Sequence, residues 1–161
     1  MPDDSYANES YDILETINML KTSYEEQMPF NRFLGLKVVA LDTENVSVKI
    51  KMQEGLIGNF IRGMIHGGVI SSLIDIVGGL LAAAQVIKRM EGMPTKDLTK
   101  RIERVSTVDL RVDYLRPGIG DFFLCKGSVL RMGEKVATIG MELTNDRGEI
   151  VALGRGTYLV G

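Results

Sequence analysis

The sequence predicts an α+β fold in which one long helix lies across an antiparallel sheet. The first observation is a long apolar segment, which reads as a helix from Gly67 to Arg89. The second is period-two alternation in four later segments, and the third is the Gly-bearing turns that separate those segments. Strands joined by tight turns pair antiparallel, and such a sheet buries one face against a helix.

The elements before the long helix follow from periodicity and from helix-ending residues. Apolar side chains recur at three- and four-residue spacing over residues 10–28, which predicts an amphipathic helix capped by Asn8 or Ser10 and ended by Pro29. Strands are predicted at residues 36–41 and 46–52, around an Asp-Thr-Glu-Asn turn. A loop with several glycines then leads to the long helix.

The chain after the long helix begins with residues 88–103, which are charged, contain Gly and Pro, and predict an exposed connection. Four strands are predicted beyond it, at residues 107–114, 121–131, 135–144 and 150–160. In the first of these strands, alternation places one set of side chains on one face, Val108, Leu110, Val112 and Tyr114.

Bulk composition excludes several classes of protein. At 161 residues with 45% hydrophobic side chains, the chain predicts one domain, residues 1–161, with a packed core over 29–161 and an N-terminal extension over 1–28. The net charge of −2 and the absence of a basic block argue against a nucleic-acid partner. One cysteine and one histidine exclude an intramolecular disulfide and argue against a metal site.

The uncharged run inside the long helix is too short for a membrane span. It covers residues 76–87, whereas a span needs about 20 apolar residues. The acidic, polar start of the chain is unlike a signal peptide, so we expect a cytoplasmic protein that does not enter the membrane.

The long helix has two predicted faces. Its buried face would contain Val69, Leu73, Val77, Leu80 and Ala84. The opposite face carries small residues and a single carboxylate: Gly68, Ser71, Ser72, Asp75, Gly78, Gly79 and Ala82. Small side chains there would let a substrate or a second subunit approach the helix backbone.

Glycines at the helix start predict an anion-binding site. Each Gly costs about 1 kcal/mol relative to Ala inside a helix, so a role other than helix formation is expected for Gly67 and Gly68. Backbone N–H groups at a helix start carry partial positive charge, and glycine allows a ligand to come close to them. Asp75, on the same helix, would be a base or a nucleophile, or a structural partner for an arginine such as Arg62, Arg111 or Arg116.

Motifs along most of the chain support a family resemblance. The sequence reads HGG at residues 66–68, LxDxxGG at residues 73–79, DYLRP at residues 113–117 and GEIVALGRGTYLV at residues 148–160. In this order they resemble the PaaI-like acyl-CoA thioesterases of the hotdog-fold superfamily, relatives of the hydroxybenzoyl-CoA thioesterases. The resemblance implies a hotdog fold with an added N-terminal helix, and hydrolysis of a small or medium acyl-CoA or aryl-CoA.

The resemblance also implies roles for individual residues. The thioester oxygen would accept a hydrogen bond from the Gly67 N–H, with Gly68 beside it, His66 as the histidine of the motif and Asp75 as the carboxylate. Asn59 would be the polar amide before the histidine, and the alternative for it is a turn-forming role. Some relatives have a hydroxyl one turn after the carboxylate, where this chain has Gly79.

Arginines on the strands are candidates for binding the nucleotide part of the substrate. Arg116 and Arg131 could contact coenzyme A phosphates, and the alternative is that both are simply solvated. No cofactor is expected. By resemblance the chain forms a homodimer or homotetramer, with the Gly67 side of each site in one subunit and Asp75 in the other.

Two other functions share the predicted fold. A hydratase or dehydratase acting on acyl thioesters would also use a histidine and a helix carboxylate, but the HGG motif favours the thioesterase. A non-catalytic acyl-CoA-binding protein is the third alternative. Assays of thiol release from acyl-CoAs and of water addition to enoyl-CoA distinguish the three.

Overall fold

The computed structural model describes residues 10–161. It contains the long helix, with strands before it and after it in the sequence. The helices are α1 (Ile13–Thr22), α2 (Pro29–Phe33), α3 (Gly67–Arg89) and α4 (Thr95–Ile102). The strands are β1 (Lys37–Leu41), β2 (Asn45–Lys51), β3 (Ile57–Asn59), β4 (Met64–Ile65), β5 (Ser106–Tyr114), β6 (Phe122–Met132), β7 (Val136–Asn145) and β8 (Ile150–Leu159). A π-helical turn, Ser23–Gln27, joins α1 to α2.

Six strands form one antiparallel sheet in the order β1-β2-β6-β7-β8-β5. Strands β3 and β4 form a separate two-stranded hairpin just before α3. Helix α3 contacts β2 and all four strands from β5 to β8, and every residue from 80 to 87 is buried. The sheet therefore wraps around α3, and the predicted bounds of that helix are confirmed.

The N-terminal helix is shorter than the periodicity predicts. Helix α1 begins at Ile13, and the Asp12 carboxylate caps it by accepting a hydrogen bond from the Glu15 N–H at 2.7 Å. The capping role predicted for Ser10 was therefore wrong, and Asn8 lies outside the described residues. The helical path continues through the π-helical turn, and Pro29 starts α2 at a position where a missing N–H is tolerated.

The segment 88–103 is not the exposed connection that its composition predicts. It contains α4, a largely polar helix that its single buried side chain, Leu98, anchors to the core, with Ile102 partly buried against the same core. Two apolar residues in eight are too weak a periodic signal to be recognised in the sequence, although one buried Leu contributes roughly 1.5–3 kcal/mol. Helix α4 packs on α3 and forms one wall of the cavities described below.

The small-residue face of α3 is only partly open. Ala82 is buried, and Gly78 lies directly beneath the ring of Tyr158, so the prediction that both face outward was wrong. Gly78 instead permits close packing of α3 against Tyr158. A Cβ at Gly78 would lie 2.0 Å from the Tyr158 hydroxyl oxygen, whereas a Cβ at Gly79 would have no neighbour closer than 3.8 Å.

Replacing Gly78 with Ala is expected to destabilise the fold by about 1–3 kcal/mol, because the methyl group overlaps a buried aromatic side chain. The matched control is Gly79→Ala, which is expected to leave stability unchanged or raise it by up to about 1 kcal/mol through helix propensity. Urea unfolding followed by circular dichroism compares the two variants. Equal stabilities would contradict the close packing of Gly78 against Tyr158.

Helix α3 is also long and apolar enough to cross a membrane by length and composition, with a mean hydropathy of 1.9 in its most apolar window. In the fold, 72% of that window is buried inside the protein. Core helices commonly meet the same criterion.

Candidate active site

The start of α3 leaves one backbone donor free. His66 is the N-cap residue: its Nδ1 accepts a hydrogen bond from the Gly68 N–H at 2.8 Å, and its carbonyl oxygen accepts from Val69 and Ile70. Within residues 10–161, the Gly67 N–H has no acceptor. As the first residue of a helix it has none along the helix either, so this N–H can bind an external oxygen atom.

His66 is exposed and has a defined tautomer in this arrangement. Because Nδ1 accepts a hydrogen bond, it carries the lone pair, and the ring proton is on Nε2. The imidazole therefore fixes the first turn of α3, which is a positioning role. The Gly68 N–H already donates to His66 Nδ1, so it is not free to donate to a substrate, and the predicted substrate contact of Gly68 would need another atom.

Tyr114, at the end of β5, packs against the same helix start. Its hydroxyl donates a hydrogen bond to the Gly67 carbonyl oxygen at 3.0 Å. Its ring lies 3.5 Å from the position that a Cβ on Gly67 would take. Tyr114 thus fixes the Gly67 peptide from one side, while the N–H of Gly67 remains free.

Asp75 lies two turns further along α3 and is half-buried. The Thr107 hydroxyl donates to Asp75 Oδ1 at 2.8 Å, and the Tyr158 hydroxyl is 3.5 Å from the same oxygen. Within residues 10–161, Asp75 Oδ2 has no hydrogen-bond partner and no arginine pairs with this carboxylate. Among the described residues, Asp75 therefore forms no salt bridge with an arginine, and its Oδ2 is free to act as a base or a nucleophile.

A β-bulge places Thr107 beside Asp75. The pairing of β5 with β8 is regular except between Thr107 and Asp109, where Val108 is the extra residue. The bulge puts Thr107 on the same face as Leu110, whereas strict alternation predicts that Thr107 faces the opposite way. Sequence reasoning missed Thr107 for this reason, because a bulge has no reliable local signal.

A cleft of about 490 Å³ opens beside Asp75. Its walls come from α1 and the turn after it, from α3, and from the segment that joins α4 to β5, and they include Tyr24, Gly79 and Thr107. Burial and the negative charge of Asp75 raise the pKa of Tyr24 to about 12, and the same two causes raise the pKa of Tyr158. Both tyrosines therefore stay protonated next to the carboxylate.

The Tyr24 hydroxyl lies 3.8 Å from the position of a Cβ on Gly79, on the cleft side of α3. It has no hydrogen-bond partner within residues 10–161. A hydroxyl from the N-terminal segment thus lies where the helix itself has only glycine. No feature of the sequence around Tyr24 indicates that position.

Three more predicted site residues lie away from this cleft, in addition to those at the start of α3. Asn59 is exposed in the β3–β4 hairpin, where its Oδ1 accepts from the Arg62 N–H at 3.2 Å, which is a turn-forming contact. Arg116 donates to the Ile150 carbonyl oxygen at 2.9 Å. Arg131 lies beside Lys88 and Arg89 at the opposite end of α3 from Gly67. Their roles toward substrate stay predictions.

Gly67 and Asp75 do not meet within one chain. They are eight residues apart on α3, which is about 12 Å along the helix axis. A thioester carbonyl bound at one of them is therefore out of reach of the other.

Neither the cysteine nor a cluster of metal ligands adds further chemistry within residues 10–161. Cys125 is completely buried, and burial raises the pKa of its thiol, so it is a packing residue rather than a nucleophile. Over residues 10–161, no group of three His, Cys, Asp or Glu side chains is placed to hold a metal ion.

The long helix wrapped by an antiparallel sheet, with a free N–H at its start and a carboxylate two turns later, is the architecture of a hotdog protein. The model of the thioesterase superfamily matches residues 62–152, which is more than half of the chain. The chain belongs to the thioesterase superfamily, which confirms the predicted fold and family.

Individual relatives agree with this. The medium/long-chain acyl-CoA thioesterase YigI of Escherichia coli K12 is 37% identical over 147 residues, covering 91% of this chain and 95% of YigI. A Shewanella oneidensis protein related to the thioesterase superfamily has a crystal structure with a TM-score of 0.89 and 39% identity, covering 92% of this chain and 97% of that one. The Escherichia coli PaaI structure, at 20% identity, shares the fold with a TM-score of 0.74, over 93% and 96% of the two chains.

Proposed function

We propose that this protein hydrolyses the thioester bond of acyl-CoA, with medium or long acyl chains among its substrates. The observation that carries the proposal is the Gly67 N–H at the start of α3, a donor that has no acceptor within residues 10–161. The similarity to YigI supports the acyl-CoA part of the proposal. The sequence predicts small or medium acyl chains, whereas YigI is named for medium and long ones, so the two agree at medium length.

In the proposed reaction, the thioester carbonyl oxygen accepts a hydrogen bond from the Gly67 N–H. Negative charge that develops on this oxygen is stabilised by the donor and by the helix dipole. Asp75 takes a proton from water, the resulting hydroxide attacks the carbonyl carbon, and the carbon–sulfur bond breaks. The thiolate of coenzyme A leaves and is protonated, and the other product is the free acid.

Asp75 could instead attack the carbonyl carbon itself. The carbon–sulfur bond then breaks to give a mixed anhydride, which water hydrolyses to the acid and the free carboxylate. A single turnover in heavy-oxygen water can identify the anhydride route. Label in the Asp75 carboxylate shows that water attacked the aspartyl carbonyl of an anhydride, whereas label only in the product acid results from the general-base route and from water attack on the acyl carbonyl of an anhydride.

The 12 Å separation between Gly67 and Asp75 supports a site shared by two subunits. Within residues 10–161, β5 pairs with β8 on one side only, and its exposed side chains include Val108 and Tyr114. An open edge with apolar side chains favours pairing with a second copy. In such a homodimer the partner's Asp75 would face the Gly67 N–H, and Arg116 would still have guanidinium donors for a coenzyme A phosphate. We also propose that the protein is located in the cytoplasm, where acyl-CoA is available.

The test of the proposed function is thiol release from butanoyl-, octanoyl-, dodecanoyl-, hexadecanoyl- and benzoyl-CoA, with light scattering on the same sample. Hydrolysis of at least one acyl-CoA by a species of dimer mass or larger is expected. Absence of thiol release with all five, together with water addition to an enoyl-CoA, would instead identify a hydratase. A stable monomer at micromolar concentration would contradict the shared site.

A further inference from the structure

A second cavity of about 540 Å³, a groove between α1 and α4, lies next to the cleft beside Asp75. The two cavities share four wall residues, Leu20 and Ser23 from the α1 side and Ile102 and Glu103 from the α4 side. They therefore adjoin at this boundary, and the cleft and the groove together are called the passage.

The order of the wall residues shows the direction of this passage. On the N-terminal segment the cleft contacts Tyr24, the boundary is at Leu20, and the groove continues to Thr16. On the other wall the cleft contacts Val105, the boundary is at Ile102, and the groove continues to Leu98. Both walls thus extend away from Asp75 in the same direction.

Helix α3 supplies the floor. Asp75, Gly79 and Ala83 line the cleft, and Ile87 lines the groove. These positions are four residues apart and lie on one face of the helix, so the floor extends about 18 Å from Asp75 to Ile87. Apart from Asp75 this floor carries no charged side chain.

The far end of the groove is held together by two contacts. The Tyr11 hydroxyl donates to the Ile87 carbonyl oxygen at 2.6 Å, and Ser10 pairs with Pro94 in an isolated bridge. These contacts tie the residues just before α1 to α3 and to the segment before α4. The passage therefore has a fixed length, because its two walls are joined beyond Ile87.

We propose that this passage holds the hydrocarbon tail of a medium or long acyl substrate, and that Leu20 and Ile102 set the chain length at which the tail must enter the groove. The proposal rests on the proposed thioesterase function. A short acyl group occupies only the cleft next to Asp75, whereas a longer one passes between Leu20 and Ile102 and runs along α3 toward Ile87. Burial of the extra methylenes in the groove then favours the longer substrates.

The test is the kcat/KM of Leu20→Trp and Ile102→Trp for butanoyl- and hexadecanoyl-CoA, compared with the unchanged protein. Each variant fills the boundary from a different wall. The ratio of hexadecanoyl to butanoyl activity should fall at least about tenfold, because burial of even two methylenes is worth more than that. Activity with butanoyl-CoA should fall much less, since Leu20 and Ile102 lie where the cleft meets the groove rather than in contact with Asp75.

Thr16→Trp provides a graded comparison. Thr16 is one turn before Leu20, about 6 Å farther along the groove. This variant should leave octanoyl-CoA activity unchanged and lower only the activity with hexadecanoyl-CoA. The matched control is Leu14→Trp, which adds the same bulk to α1 on its exposed, opposite side, where Leu14 is 71% exposed and lines neither cavity. It should leave the chain-length profile unchanged.

The outcomes separate the two proposals. If the unchanged protein releases no thiol from any acyl-CoA, the proposed function is wrong and the inference falls with it. If the unchanged protein is active and the folded Leu20, Ile102 and Thr16 variants keep its chain-length profile, only the inference is wrong. A change of mass in light scattering caused by Leu20→Trp would also overturn it, because the groove would then be a protein contact.

Discussion

Replacing Asp75 with Asn is expected to lower kcat on the best acyl-CoA by at least about 10²-fold, as for the loss of a general base or nucleophile. The amide keeps the shape of the carboxylate and leaves an oxygen that accepts from the Thr107 hydroxyl, so the fold should persist. The KM should change much less, since the charge acts on the transition state rather than on uniform binding. Steady-state kinetics with matched thermal unfolding curves measure both.

Two companion variants make the Asp75 prediction specific. Thr107→Val removes only the hydrogen bond to Oδ1 and should reduce kcat by a smaller factor, because the charge remains but its orientation is less fixed. Asp97→Asn changes a carboxylate on α4 that lies outside the cleft and should leave the kinetics unchanged. Most of the activity retained in Asp75→Asn would show that this carboxylate is structural.

Replacing Gly67 with Pro is expected to lower kcat/KM by about 10²–10³-fold, because it removes the one free N–H at the start of α3. The backbone around Gly67 can accommodate proline. Gly67 is the first helical residue, where Pro is favourable, and His66 already has φ −66° and ψ 136°, as a residue before Pro requires. The melting temperature should therefore be equal to or higher than that of the unchanged protein.

The control for this prediction is Gly67→Ala, which keeps the N–H. Its Cβ would be 3.5 Å from the Tyr114 ring, an ordinary contact, so activity should be much closer to that of the unchanged protein. If Gly67→Pro folds and retains full activity, this N–H does not bind the thioester oxygen. Equal losses in the Pro and Ala variants would point to steric hindrance rather than to a lost donor.

Mixing Asp75→Asn and Gly67→Pro subunits tests whether the site is shared. In a heterodimer, one of the two sites would combine an unchanged Gly67 with an unchanged Asp75 from the partner subunit. After complete exchange, about a quarter of the original activity should return if each symmetric dimer has two such sites. No recovery after exchange verified by mass spectrometry would contradict the proposed arrangement.

The features of this protein that depend on local periodicity can be predicted from its amino-acid sequence. The bounds of α3 follow from its apolar period and its flanking glycines, and the later strands follow from period-two alternation. The free N–H of Gly67 also follows from local geometry, since the first residue of any helix lacks an acceptor for its N–H along the helix. The placement of Asp75 on that helix required only the spacing.

Only the tertiary structure decided what surrounds Asp75. Thr107 is 32 residues away in sequence and Tyr158 is 83 residues away, and both reach the carboxylate because β5 and β8 pair next to α3. The bulge at Val108 and the anchoring of α4 by Leu98 depend on how strand edges and one side chain fit the core. Such contacts are selected by packing between distant segments, so a local pattern does not encode them, whereas helix starts and strand alternation are properties of neighbouring residues.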